Sequence, residues 1–214
     1  MSGTKQPKTS CCRAGRRRLS ELTTEEGSMS IVPVRSNTAA LTMLAIIAAL
    51  GIVVRYAVQI PIIPNVVVLT PGFMFSILGG IVGGIPGGAL IGAIIGISGA
   101  LSGTELPILP MFGNICLGIG SGYAIYFAKR DNLRYYILVI LGSGFIGGFM
   151  PTMTVFYSLI DPLIVNMIAA SIDMLQAFLW AFVALVVERT LIRPIAGSYI
   201  YSDNAIRELP QQEN

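Results

Sequence analysis

The chain has 214 residues, of which 54% are hydrophobic and only 12% are charged, with a formal net charge of +3 and a mean hydropathy of +0.75. It contains no histidine, which excludes His-based catalytic triads, HExxH zinc sites and imidazole proton relays. Its three cysteines form no CxxC pair and offer no disulfide framework. We therefore expect a multi-pass membrane protein that is not an enzyme, binds no cofactor or metal itself and has no nucleic-acid partner.

Residues 1–36 form a polar, basic tail before the first apolar segment. A secretory signal would continue from its basic region into an apolar run, whereas here LSELTTEEGS follows. We expect the tail to be disordered, with lipid contact through its Arg residues and acylation at Cys11 and Cys12 as alternative roles. Translation from Met29 is a further alternative, since nothing before it indicates structure.

Six apolar segments are predicted to cross the membrane, at about 37–58, 66–85, 87–101, 109–128, 135–159 and 163–187. The second and third belong to one uncharged run, 65–103, in which glycine recurs every fourth residue from Gly80 to Gly96. Such a repeat forms a smooth stripe that another helix approaches closely. The run would extend about 58 Å as one helix, against a hydrocarbon core of about 30 Å, and we expect Pro86 to divide it into two spans.

The basic residues predict the orientation. With six spans, thirteen of the fourteen Lys and Arg residues lie on one side, and only Arg55 lies near the other. The positive-inside rule makes the basic side cytoplasmic. The predicted fold class is all-α: an integral membrane bundle of six transmembrane helices with both termini cytoplasmic. Residues 37–187 form the transmembrane domain, Arg189 and Arg193 end the last span, and 188–214 form a polar C-terminal tail.

The last span carries the polar residues that point most directly to a site. Asn166, Asp173, Gln176 and Trp180 share one helical face. Asp173 lies about 15 Å below the outer end of this span, where a carboxylate is costly. It is either a site for a ligand or coupling cation, or a polar lock to another helix, for example to Asn114 or Ser121. We expect no basic residue within its reach, so that it is protonated when empty or held charged by hydrogen-bond donors such as Asn114 and Gln176.

The fifth span contains Pro151, which frees a carbonyl group about four residues earlier. The polar residues Thr152, Thr154, Tyr157 and Ser158 follow it toward the outside. This segment either lines a cavity or is a simple kink. With Asn114 at similar depth in the fourth span, it predicts a solute pocket between spans four to six that opens to the outside.

The first span contains Ala45 and Ala49, a small-xxx-small pair in its inner half. Such a pair is typical of helix contacts in membranes but is not specific. It indicates either a surface for a partner helix or packing against the glycine stripe of the same chain.

Together, these features resemble the substrate-binding S component of energy-coupling-factor (ECF) transporters. The segments LTPGFMFSILGGIVGGIPGGALIGAIIG and GTELPILPMFGN are similar to stretches of that family. The resemblance implies a prokaryotic plasma-membrane subunit that captures a vitamin or vitamin precursor outside the cell. It also implies that Ala45 and Ala49 meet a transmembrane coupling protein, with two partner ATPases consuming ATP. The ligand would bind under the linker between helices one and two, at Gln59, Asn65, Asn114, Thr154, Asn166 and Asp173, to which the residue patterns above add Tyr157 and Gln176.

The chain lacks a GxxxxGK[ST] phosphate-binding loop, so energy for transport would come from elsewhere. The alternative is a self-sufficient secondary transporter or channel that uses Asp173 for ion coupling.

Overall fold

The computed structural model describes residues 38–58, 60–63, 67–101, 108–155 and 162–201. These residues form a helical bundle with a small β-hairpin. The helices are α1 (Thr38–Ala57), α2 (Gly72–Leu101), α3 (Leu109–Gly122), α4 (Ala124–Phe127), α5 (Leu133–Gly142), α6 (Met150–Thr154), α7 (Leu163–Val187) and α8 (Arg193–Ile200). The π-helical segment Ser143–Phe149 joins α5 to α6, and a second one, Glu188–Ile192, joins α7 to α8. Strands β1 (Ile60–Ile63) and β2 (Val67–Leu69) pair antiparallel between α1 and α2.

Four helical stretches of the described residues are long and apolar enough to cross a membrane. They are 38–57, 72–99, 133–154 and 163–197, with hydropathies of 1.6 to 2.1. Large apolar side chains such as Leu41, Val53 and Phe182 are exposed on their outer faces, as expected of a chain whose solvent is lipid. The prediction of a helical membrane protein is therefore confirmed at this level.

Two local features explain why four stretches are found where the sequence predicts six. One is that α3, with 14 residues, and α4, with 4 residues, are separated at Tyr123, so neither alone has the length of a span. The other is that α2 is not one straight helix. Gly84 has φ 64° and ψ −160°, a conformation that only glycine adopts without strain.

The two halves of α2 fold back on each other at Gly84. A Cβ atom at Gly79 would lie 2.7 Å from the Cβ of Ile91, and one at Gly87 would lie 3.0 Å from the carbonyl oxygen of Gly79. The prediction of two helices is thus right, but the turn is at Gly84 and not at Pro86. Pro86 lies in the first turn of the second half, where its fixed φ and missing N–H are tolerated.

The glycine stripe packs on α3 of the same chain. Cβ atoms at Gly88, Gly92 and Gly96 would collide with the backbone of Gly118, Asn114 and Met111 respectively. Residue numbers rise along α2 in the direction in which they fall along α3, so the second half of α2 and α3 run antiparallel with their backbones in contact. Because Gly88, Gly92 and Gly96 have no side chains, the two helices can pack this closely, and this packing positions Asn114.

Two predicted boundaries are wrong. Residues 67–69 form a strand and not the start of a span, because β-branched valines favour a strand and Pro71 disfavours helix at Thr70. The last helix also does not end at Arg189 or Arg193, since helical structure continues to Ile200. Arg193 donates to the buried Glu188 at 3.3 Å, and this pairing allows both charges to lie in a continuing helix. The predicted tail 1–36 lies outside the described residues.

Candidate functional site

A cavity of about 220 Å³ lies where α1 ends and α2 begins, against α3, the π-helical segment Ser143–Phe149, α6 and α7. The polar side chains in its wall come from five segments of the chain: Arg55, Thr70, Asn114, Thr152, Asp173 and Gln176. Phe73, Pro110, Leu117 and Pro151 supply apolar wall. A few polar groups set among apolar ones is the usual composition of a small-molecule site.

An irregular stretch of helix brings Asp173 to the cavity. In the segment Ser143–Phe149 the backbone is π-helical, so that the N–H of Met150 bonds the carbonyl of Phe145, five residues back. Such wide turns are often found at functional sites. A Cβ atom at Gly148 would lie 2.8 Å from the backbone oxygen of Asp173, so the two helices touch there. Gly147, Gly148 and Pro151 all line the cavity, which favours the cavity-lining interpretation of Pro151 over a simple kink.

Thr152 is the side-chain partner of Asp173. Its Oγ1 lies 2.6 Å from Oδ2 of Asp173 and 3.0 Å from the carbonyl oxygen of Gly148. The hydroxyl carries one proton and donates to one acceptor at a time. If Asp173 is ionised, Thr152 donates to it. If Asp173 is protonated, it donates to Thr152, which donates onward to Gly148. The geometry accommodates both states of the acid.

The side chain of Asn114 is fixed by hydrogen bonds to other residues of the chain. Its Oδ1 accepts from Ser76 Oγ at 2.8 Å, its Nδ2 donates to the carbonyl of Pro110 at 2.8 Å, and the residue is 1% exposed. Ser121 bonds the carbonyls of Ile77 and Gly118. Within the described residues, neither Asn114 nor Ser121 bonds Asp173, and the partner of Asp173 on another helix is Thr152 instead. Asn114 instead fixes α2 against α3 beneath the cavity.

Arg55 is the residue that the sequence analysis missed. The sequence predicts it near the outer edge of the first span, and the structure shows it only 5% exposed, in the wall of the same cavity as Asp173. Its aliphatic stem lies against Gly72, and its guanidinium occupies the space that a side chain at Gly99 would take. The signal was present, because Arg55 is the one charge in the first apolar segment and the cost of burying a charge applies to it as it does to Asp173.

The other predicted site residues divide into three groups. Asn114, Asp173 and Gln176 line the cavity together. Asn166 is buried on α7 outside the cavity wall, and Thr154 is exposed and bonds the carbonyl of Met150 at 2.7 Å. Gln59, Asn65 and Tyr157 lie outside the described residues. The cavity further contains Thr70 and Phe73, which precede and open α2 and carry no distinguishing pattern in the sequence.

Ala45 and Ala49 lie on the exposed face of α1, away from the glycine stripe. The glycines that do contact α1 meet other residues, since Gly83 and Gly87 face Leu44. Internal packing against the stripe is therefore not the role of this pair. As for metals, the described residues contain no cluster of three or more His, Cys, Asp or Glu residues that could hold an ion.

Comparison of the chain with protein-family models, with curated proteins and with solved structures gives no significant match.

Proposed function

We propose that this chain is the membrane-embedded substrate-capture subunit of an ATP-driven importer of the ECF type, with a vitamin or vitamin precursor as its substrate. The observation that carries the proposal is the small cavity with polar side chains that lies among apolar helices. Asp173 and Arg55 both line this cavity. Polar and ionisable groups inside a membrane bundle mark binding sites or transport pathways by default. A chain with such a site and no nucleotide-binding loop fits the binding part of a larger machine.

The proposed topology has six crossings, at 38–57, the two halves of α2, 109–127, 133–154 and 163–187. The contacts of the turn at Gly84 support it. Gly84 lies beside Ile125 and Tyr126, and Arg130 donates to the carbonyl of Ile81 at 2.6 Å. The turn therefore lies at the Lys129–Asp131 end of the bundle, opposite the cavity. An even number of crossings places both termini on this basic side, which the positive-inside rule makes cytoplasmic.

The proposed contact with the coupling protein is the exposed face of α1 around Ala45 and Ala49. Small residues four apart allow a partner helix to approach closely. The neighbouring side chains Leu41, Ile46 and Leu50 are about half exposed and would be covered by the same helix. Two ATPases acting through that partner would supply the energy that this chain cannot.

The proposal is tested by reconstituting the full chain in vesicles, alone and with the coupling protein and ATPases of the same organism. We expect the chain alone to bind substrate without accumulating it, and the complete assembly to accumulate it only when ATP is present. Accumulation by the chain alone under an ion gradient would overturn the proposal.

The contact surface has its own test. Replacing both Ala45 and Ala49 by Trp should abolish uptake by the complete assembly and leave binding by the isolated chain intact, because both residues are exposed and remote from the cavity. Val186→Trp, also at an exposed position but on α7, is the matched control and should leave uptake unchanged. Loss of binding in the double variant would contradict the assignment.

One observation favours a second candidate, a secondary transporter driven by protons. Because Thr152 can accept from or donate to Asp173, a proton can enter or leave this acid without loss of the hydrogen bond. Under this function, the purified chain alone would concentrate its substrate in response to a pH gradient, and Asp173→Asn would abolish that response. The reconstitution described above distinguishes the two candidates.

A further inference from the structure

We propose that the ligand of this cavity is a small nitrogen compound, an amine or a nitrogen heterocycle, whose N–H group donates a hydrogen bond to Oδ1 of Asp173. This inference rests on the proposed function, because it assigns the chemistry of the same site. It depends on the position of the Asp173 carboxyl group in the cavity wall and on the way in which Thr152 engages that group.

The two oxygens of the Asp173 carboxyl group have different surroundings. Oδ2 lies 2.6 Å from Oγ1 of Thr152. Among the described residues, Oδ1 makes no hydrogen bond, and it is not one of the unpaired polar atoms that the protein encloses completely. No basic side chain of the described residues lies within salt-bridge distance of Asp173. Oδ1 is therefore the oxygen of this residue that a molecule in the cavity can reach.

Oδ1 is a hydrogen-bond acceptor in both protonation states of Asp173. In the ionised state Thr152 donates to Oδ2, and Oδ1 carries only lone pairs. In the protonated state Oδ2 carries the proton and donates to Thr152, which donates onward to the carbonyl of Gly148 at 3.0 Å, so that Oδ1 is a carbonyl oxygen. The ligand atom that faces Oδ1 must therefore be a donor. A carboxylate, ether or ketone oxygen at that position would place two acceptors against each other.

The charge of the acid favours nitrogen as the donor atom. An ionised Asp173 has only the neutral Thr152 as a side-chain partner among the described residues. A protonated amine or amidine compensates a buried carboxylate more fully than a neutral hydroxyl does, through a charge-assisted hydrogen bond. Arg55 lines the same cavity but already has an interaction within the chain, so no ligand group is assigned to it.

The volume and the apolar wall limit the rest of the ligand. The cavity measures about 220 Å³, which is below the ~300–1,000 Å³ that is usual for drug-sized ligands. Phe73, Leu117, Pro110 and Pro151 supply apolar surface for a short chain or a single ring. The ligand is thus one compact unit that carries an N–H group, and not a nucleotide-like or multi-ring molecule.

The test compares small probes that differ only at the group facing Asp173. Each set contains an amine or N–H heterocycle, its N-methylated analogue without N–H, a C-methylated isomer of equal size that keeps N–H, and the corresponding alcohol and carboxylate. The purified full chain in lipid nanodiscs is incubated with equimolar sets, and retained compounds are identified by mass spectrometry. Thr70→Trp, which fills the cavity from its wall, provides the background. We expect the N–H compounds to be enriched at least about tenfold over the rest of their set, as the loss of one charge-assisted hydrogen bond implies.

Variants of Asp173 assign the preference to this residue. Asp173→Leu removes both oxygens, so the N-methylated and C-methylated isomers should be retained equally. Asp173→Asn keeps a neutral acceptor and should reduce the preference about threefold or more. Ser171→Ala on the same helix is the matched control, because the hydroxyl of Ser171 bonds the carbonyl of Met167 at 2.8 Å and does not line the cavity. Thermal unfolding in detergent verifies that each variant is folded. An unchanged preference in either folded Asp173 variant would overturn the assignment.

The outcomes separate this inference from the function on which it rests. Preferential retention of carboxylates or N-methylated compounds, lost in Thr70→Trp, would leave the capture function standing and overturn the N–H donor. Equal retention of an amine and its alcohol would likewise overturn the assignment to nitrogen while leaving the capture function standing. Retention of nothing above the Thr70→Trp background would overturn both.

Discussion

The two ends of the bundle both contain buried charged groups, but they use them differently. At the end opposite the cavity, Glu188 is 1% exposed and accepts from Arg193 Nε at 3.3 Å and from Tyr201 OH at 3.2 Å. Arg193 also pairs with Asp131. At the cavity end, Asp173 has a single neutral side-chain partner among the described residues, Thr152. A polar network whose members bond one another contributes to the fold, whereas polar groups that surround a cavity are available to a ligand.

The end of the bundle opposite the cavity joins four parts of the chain. Arg130 donates to the carbonyl of Ile81, which the turn at Gly84 deprives of its normal helical partner, and its guanidinium lies 4.1 Å above the ring of Tyr201. Burial raises the pKa of the Tyr201 hydroxyl well above its usual range, with Arg130 opposing and Glu188 adding to the effect. Tyr201 therefore remains a proton donor to Glu188 at any physiological pH. The result is a network across the α2 turn, the loop after α4, and the end of α7 and α8, in which Oε2 of Glu188 and Nη2 of Arg130 are buried without a hydrogen bond among the described residues.

The largest effect is expected from breaking this network. Glu188→Ala should destabilise the protein by about 1.5–3 kcal/mol, because Arg193 and Tyr201 lose their shared buried acceptor while Arg193 keeps its ion pair with Asp131. Thermal unfolding in detergent measures the loss. Asp131→Asn is the matched control, since the side chain of Asp131 is 85% exposed and its ion pair should contribute at most about 1 kcal/mol. Ligand affinity of the folded fraction should not change in either variant, and a loss of affinity on Glu188→Ala would show that the two ends are coupled.

The reverse pattern is expected at Asp173. Asp173→Asn should weaken ligand binding by about tenfold or more while the melting temperature changes little. The fold is retained because the amide of asparagine donates to Thr152, which continues to bond the carbonyl of Gly148. Isothermal titration and thermal unfolding of the same sample separate the two quantities. Normal binding with an altered melting temperature would make Asp173 a structural residue like Glu188, and the contrast between the two ends would disappear.

The charged and polar residues of the two ends were not equally predictable from the sequence. Asp173, Gln176 and Asn114 could be found because a polar residue in an apolar helix is a local signal. Arg55 could not be placed, since its position depends on Gly72 and Gly99, which lie far from it in sequence and leave room for its side chain. Similarly, Glu188 and Arg193 look like the end of a span when read singly. Only their mutual pairing, and the pairing of Arg193 with Asp131 from a distant loop, shows that the helix continues.

The fold itself was predictable where one residue type repeats. Glycine at every fourth position predicted close helix packing, and the structure finds it between α2 and α3. The turn position was not predictable in the same way, because both Gly84 and Pro86 break helices and the choice depends on which residue takes a positive φ. The strands β1 and β2 were missed because their residues are as apolar as the spans beside them.

The smallest expected effect compares two threonines on one short helix. Thr152 and Thr154 both bond a carbonyl four residues back, at 3.0 Å and 2.7 Å, but only Thr152 also contacts Asp173 and lines the cavity. Thr→Val at either position keeps the shape and removes the hydroxyl, so local helix effects should be similar. We expect Thr152→Val to weaken ligand binding about three- to tenfold, the value of one neutral hydrogen bond that orients the acid, about 0.5–1.5 kcal/mol. Thr154→Val should leave affinity unchanged, because the hydroxyl of Thr154 makes its hydrogen bond outside the cavity.

Equal losses of affinity in the two variants, measured by titration, would mean that helix α6 affects binding through its backbone and that the hydroxyl of Thr152 does not position Asp173. A loss confined to Thr152→Val, and absent when Asp173 is already Asn, would assign the effect to this pair alone.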